Sequence, residues 1–127
     1  MLWDNENLYI IHVIDDKNVT ELDGIDFFID ARRERGSEYD SNDFYYSLTM
    51  DDLARLDTSD SDTNAKVVLR QRDEGYIVES SIPWSDLGVY PFHGMMMGFS
   101  THLNNVSPDE NSKHSWKSVS NDLFENP

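Results

Sequence analysis

Cysteine is absent from this 127-residue chain. That excludes a disulfide framework and a thiolate metal site, so burial and hydrogen bonding alone must hold the fold. Zero cysteine is compatible with secretion. Cationic residues are scarce: 10 Lys and Arg stand against 25 Asp and Glu, for a formal charge of −15. Such a surface repels phosphate backbones, which argues against a nucleic-acid partner. It also repels acidic polymers unless a cation bridges the two. Long apolar runs are missing too. The longest, Leu8 to Ile14, is interrupted by His12 and falls far short of the ~20 residues of a membrane-spanning helix. No membrane partner is expected. The opening Met1-Leu2-Trp3-Asp4 does not read as a secretory leader. Acidic chains can be disordered, but 38% hydrophobic and 12% aromatic residues, set in a regular period, argue for a packed fold. The length suits one domain with a real core.

What is present alternates. Apolar residues recur at every second position, the period of a strand. Ile25, Phe27, Ile29 and Ala31 face one way, and Asp26, Phe28 and Asp30 the other. Phe44, Tyr46, Leu48 and Met50 oppose Tyr45, Ser47 and Thr49. Lys66 to Arg72 and Tyr76 to Ile82 are joined by Asp73-Glu74-Gly75, a hairpin signal. Met95 to Asn104 reads as a further long strand, and Leu8 to Ile14 as a strand apolar on both faces. Pro83 to Gly88 reads as one helical turn closed by glycine, and Asp51 to Leu56 as a turn. The polar stretches Asp57–Asn64 and Asn105–Lys113 read as loops, and Arg32–Asn42 as a charged connection. The expected fold is all-β: an antiparallel β-sandwich with at most one or two short helical turns. Its core should contain Ile11, Val13, Ile25, Phe27, Ile29, Tyr46, Leu48, Val78, Ile82, Phe99 and Leu103.

Motifs for catalysis are lacking. The four histidines, His12, His93, His102 and His114, have no zinc spacing. No G-x-S-x-G, phosphate loop or dinucleotide fingerprint occurs. Paired carboxylates of the glycosidase kind carry no weight, because 25 acids make accidental pairs common. Trp84, in the Ile82-Pro83-Trp84 turn, reads as a core plug.

Four segments taken in order resemble the family-nine carbohydrate-binding modules, which accompany xylanases and other glycoside hydrolases. They are LWDNENLYIIHVIDD, DGIDFFIDARR, GYIVESSIPWSDLG (the nearest match, to G-Y-x-V-E-A-A-I-P-W-x-x-L-G) and MGFSTHLNN. The resemblance covers nearly the whole chain. It implies a non-catalytic sandwich that holds a neutral glycan near a hydrolase, often with calcium, in an extracellular or periplasmic setting. It also implies that residues 1–127 form a single module lacking its first and last strands.

The resemblance places the family's sugar-contacting carboxylate at Asp26, its Asn at Asn121 and its second Trp at Phe124. The first Trp falls at Thr20 and the Arg at Ser47, so those groups are replaced. Alternation puts Tyr45, Ser47 and Thr49 on the face of their strand that a sugar site needs. The candidate carbohydrate-binding residues are therefore Asp26, Tyr45, Asn121 and Phe124. Carboxylates at strand ends, Asp15 and Asp16 above all, are the candidate calcium ligands. Two other readings stand beside this one. A haem-binding electron-transfer module of related fold would draw on Met95, Met96, Met97 and His102. A structural sandwich would have no ligand.

Overall fold

A computed structural model describes residues 1–33, 38, 40–50, 57–58, 63–106 and 111–115. Nine strands and one short helix occur among them. They are β1 Leu2–Trp3, β2 Asn7–Asp15, β3 Gly24–Asp30, β4 Asp43–Thr49, β5 Asp57–Thr58, β6 Lys66–Arg72, β7 Gly75–Pro83, α1 Trp84–Leu87, β8 Gly98–Val106 and β9 Asn111–Ser115. One sheet has the order β1-β2-β7-β6 and the other β5-β4-β3-β8-β9. All pairings are antiparallel. The two sheets bury one core between them, so the expected all-β sandwich with a single helical turn is what the chain forms.

The core is built from one face of each sheet. Ile25, Phe27 and Ile29 of β3 meet Leu8, Ile10 and Ile14 of β2 and Tyr76, Val78 and Ile82 of β7. Phe27 stacks on Tyr46 at 4.9 Å between ring centroids, with 18° between planes. Each such fully buried side chain contributes about 1.5–3 kcal/mol of transfer free energy. Trp84 closes one end. Its indole N–H donates to the Asp4 carbonyl at 2.9 Å, which satisfies the polar edge of a buried ring. Gly88 ends the helical turn in the left-handed region at φ 65°.

Several expectations need correction. Ile11 and Val13 are 52% and 59% exposed, and the even-numbered residues of β2 face the core instead. A strand apolar on both faces carries no phase of its own. Its phase comes from β7, where His12 opposes Val78 and Leu8 opposes Ile82, so β2 must turn its even positions inward. Phe28 and Asp26 do take the strand face opposite Ile25, Phe27 and Ile29, yet both are buried there. The long strand β8 begins at Gly98, so Met95, Met96 and Met97 precede it. Gly98 opposes Asp30, and a Cβ there would come within 2.9 Å of the Asp30 Cβ. The polar stretch 105–113 contains the end of β8 and the start of β9, and Asp57–Thr58 is a short strand. Backbone pairing formed these, with little apolar signal to announce it. Residues 51–56 lie outside the described residues.

One close approach locks strands within the first sheet, and one hydrogen-bonded link joins that sheet to the second. At the β6–β7 hairpin, Arg72 opposes Gly75, and Gly75 sits at φ 134°. A Cβ on Gly75 would lie 1.9 Å from the Ile14 carbonyl oxygen of β2. In the core, His12 Nε2 lies 3.0 Å from the Thr101 hydroxyl, which donates to the Asp26 carbonyl at 3.2 Å. With that single hydroxyl proton spent on Asp26, Nε2–H of His12 is the donor to Thr101. The other ring nitrogen, Nδ1, is then a buried lone pair without a hydrogen-bond partner. Burial holds the His12 imidazole down at about 4. Coverage of β2 is uneven: β1 pairs only with Leu8 and Tyr9, and Ile10 to Asp15 have no strand on that side among the described residues.

Two outcomes follow from these links. Gly75→Ala should lose about 1–3 kcal/mol in urea unfolding, because the backbone is strained and the close approach is blocked. Gly88→Ala has open space around it and should lose only about 1 kcal/mol. Stability should also fall with acid through His12. Its folded value lies below the unfolded 6.5, so its contribution is complete above pH 6.5 and is lost as pH falls toward 4. The full loss is about 3 kcal/mol. The difference between wild type and His12→Leu, measured from pH 7.5 to 4, isolates this share from the carboxylates. A flat difference would refute it.

Candidate functional site

Strand β3 lies between β4 and β8, and Asp26 at its centre opposes Ser47 on one side and His102 on the other. Directly opposed residues point to the same face of a sheet. Asp26, Ser47 and His102 therefore project together from the face away from the core. Tyr45, Phe28, Ser100 and Asn104 share that face by alternation.

The Asp26 carboxylate is the hub. Only 4% of the residue is exposed. A buried carboxylate is tolerated only with donors around it. Oδ1 accepts from the Ser47 hydroxyl at 2.6 Å and the Tyr45 phenol at 3.2 Å, and Oδ2 accepts from the Asn104 amide at 2.9 Å. Bonds to an ionised acceptor are short and strong, so they fix three polar groups in one orientation. Beside them on the same face lies Phe28. Its ring lies 5.0 Å from Tyr45 and 5.5 Å from His102.

Such an array suits hydroxyl recognition. A hydroxyl that donates to a carboxylate still carries acceptor lone pairs, and a carboxamide offers both donors and an acceptor. Flanking aromatic rings supply an apolar surface for the C–H side of a sugar.

The expected residues are only partly gathered. Asp26 and Tyr45 come together as required. Asn121 and Phe124, like Trp116, lie outside the described residues. His102 and Asn104 were not singled out for the sugar site, although alternation along Phe99, Thr101 and Leu103 already assigns them to the face of Asp26. Thr20, where the resemblance expects a ring, serves a turn. Its amide and hydroxyl donate to the buried Asp23 carboxylate at 2.7 and 3.1 Å.

Among the described residues the candidate metal and haem ligands are not gathered into one cluster. Asp15 is ion-paired with Arg72, and Asp16 accepts the Asn18 amide at 2.8 Å. No group of three or more His, Asp or Glu able to hold a metal occurs among the described residues. A calcium ion needs six to eight oxygens, more than Asp15 and Asp16 supply by themselves. For haem, His102 projects from the outer face of its sheet, whereas Met95 and Met97 line a cavity with the core-facing Phe99. Ligands on opposite sides of a sheet cannot share one iron.

Comparison with known proteins gives the same picture. The chain is 29% identical over 120 residues to the endo-1,4-beta-xylanase A of Thermoanaerobacterium saccharolyticum, covering 89% of this chain and 10% of that protein. It is also 29% identical over 120 residues to the exoglucanase XynX of Acetivibrio thermocellus, with 89% and 11% covered. It thus spans about a tenth of the length of these relatives. Among solved structures, a family 9 carbohydrate-binding module from Caldicellulosiruptor kristjanssonii in complex with cellotriose superposes with a TM-score of 0.78 at 22% identity. That match covers 98% of this chain and 67% of the other. The same module in complex with glucose gives 0.77 at 22% identity, with 98% and 68% covered. At that identity the superposition establishes the fold. The model of the carbohydrate family 9 binding domain-like family matches residues 1–127, and this chain belongs to that family.

Proposed function

We propose that the chain is a non-catalytic module that binds a neutral oligosaccharide at the Asp26 cluster. The carrying observation is the buried Asp26 carboxylate, which orients Tyr45, Ser47 and Asn104 on one sheet face of a domain from a carbohydrate-binding family. Asn121 and Phe124 are the proposed further contacts, one as a hydrogen-bonding carboxamide and one as a stacking ring. A neutral ligand suits a chain of charge −15, since no charge on it is repelled. Solved relatives hold cellotriose and glucose, which makes gluco-oligosaccharides the first ligands to test. The sequence relatives are named as xylan- and glucan-cleaving enzymes. The proposed role beside such an enzyme is to raise its effective concentration on the polymer, in an extracellular or periplasmic setting where polysaccharide is met.

With Thr20 in place of one ring, a single stacking face and a few polar anchors imply affinity on the order of millimolar, about −4 kcal/mol. Calorimetric titration with cello- and xylo-oligosaccharides tests this. Tyr45→Phe should weaken binding about fivefold with little change in stability, as one hydrogen bond is lost. Asp26→Asn should abolish measurable binding and lower stability by about 1–3 kcal/mol, because a donor then confronts the donors of Ser47, Tyr45 or Asn104. Phe124→Ala should remove most of the affinity. No binding by the wild type across a broad glycan array would overturn the proposal and leave a structural sandwich.

A further inference from the structure

The Asp26 cluster does not use the aromatic residues at the end of the sandwich. There a cavity of about 270 Å³ opens between the sheets, lined by Trp3, Leu8, Trp84, Phe92, His93 and Met97 among others. It lies on the other side of its sheet from Asp26, because the core-facing Phe99 also lines it. Large apolar groups lining it stand in solvent: Trp3 is 42% and Phe92 62% exposed. A cluster of exposed rings beside a cavity is an uncommon arrangement on a soluble surface and marks a contact site.

The rings are held, not loose. Trp3 meets Trp84 edge-on at 6.4 Å and His93 at 5.3 Å. Trp84 is itself fixed by the Asp4 carbonyl. On the far side of the loop, the Arg33 guanidinium reaches the Met96 sulfur at 2.9 Å. The local sequence is also unusual in its charge. No Asp, Glu, Lys or Arg occurs between Asp86 and Asp109, in a chain that is 28% charged. The stretch from Leu87 to Pro108 thus brings no charge of its own to the cavity, and a neutral occupant meets none from that side.

We infer that Trp3, Phe92 and His93 form a second carbohydrate-contact site, which stacks one neutral sugar ring of a polysaccharide. This extends the sugar-binding reading and rests on it for the class of ligand. The cavity falls below the roughly 300–1,000 Å³ of pockets that enclose a drug-sized ligand, so it takes a ring and not a chain. The Phe92 and Trp3 faces supply the apolar surface, while the Trp3 indole N–H and the His93 imidazole supply hydrogen bonds to hydroxyls. Two weak sites on opposite sides of one sheet let a module engage two strands or two points of a polymer, each raising the effective concentration of the other.

A cellotriose titration followed by two-dimensional NMR reports the two sites separately, through the Asn104 side-chain amide and the Trp3 indole N–H. In the wild type both resonances should move. In Phe92→Ala, an exposed position, the Trp3 midpoint should rise by roughly fivefold as a stacking face is lost. Asn104 should titrate as before, which also shows that the fold is intact. A Trp3 resonance that stays still at saturating sugar would overturn the second site, as would a Phe92→Ala titration identical to wild type. Movement at Trp3 without Asn104 would overturn the Asp26 reading and leave this one standing. Movement of Trp3 with neutral phosphatidylcholine vesicles but not with sugar would assign the patch to lipid and refute it.

Discussion

A carboxylate placed in the middle of a sheet, on a strand buried on both faces, must be surrounded by donors or lost. Asp26 imposes that constraint here. Ser47 and Tyr45 come to it from β4 and Asn104 from β8, so the two strands flanking β3 are committed to polar residues on that face at these positions. The opposite face of the same three strands is the hydrophobic core. The backbone of Asp26 is engaged too, since its carbonyl accepts from Thr101, which in turn meets His12 of the other sheet. The proposed binding face and the interior are thus joined at one residue. A change that disturbs either is felt by both, and stability and affinity should be measured together for every variant near it.

The parts of the fold with a clean two-residue period were legible. β3, β4 and β7 carry apolar residues at alternate positions, and most of the residues assigned to the core there are buried. β2 failed because Ile11 and Val13 are as apolar as Ile10 and Ile14, so nothing local chose between its faces. β9 failed for the opposite reason: its residues are polar throughout, and only pairing with β8 makes them a strand. The start of β8 was misjudged because methionines extend the apolar pattern beyond the last paired residue.

The site was less legible than the fold. The family resemblance pointed to Asp26 and alternation to Tyr45, and the fold brings these two candidates together. Alternation also held the information for His102 and Asn104, but the apolar partners of β8 attracted the reading first. Burial of the Asp26 face was not foreseeable, because a strand that reads Asp-Phe-Phe-Ile-Asp announces a solvated carboxylate face until the neighbouring strands supply donors. Asp15 and Asp16 were read from sequence density alone. Density of carboxylates in sequence suggested a cation site, and in space an Arg guanidinium and a backbone amide take them up.

The partial cover of β2 by β1 has a colloidal side. Among the described residues no strand pairs with Ile10 to Asp15 on the β1 side, and a strand edge of that kind, carrying exposed Ile11 and Val13, is a template onto which another strand can hydrogen-bond. Mutual repulsion between molecules of charge −15 opposes that approach from a distance. This protection is ionic, and it shrinks with the Debye length, from about 30 Å at 0.01 M salt to about 3 Å at 1 M. The same acidity that turns away acidic polymers therefore also keeps copies of the chain apart, and concentrated salt or a pH near 4.3, where the net charge vanishes, removes the restraint.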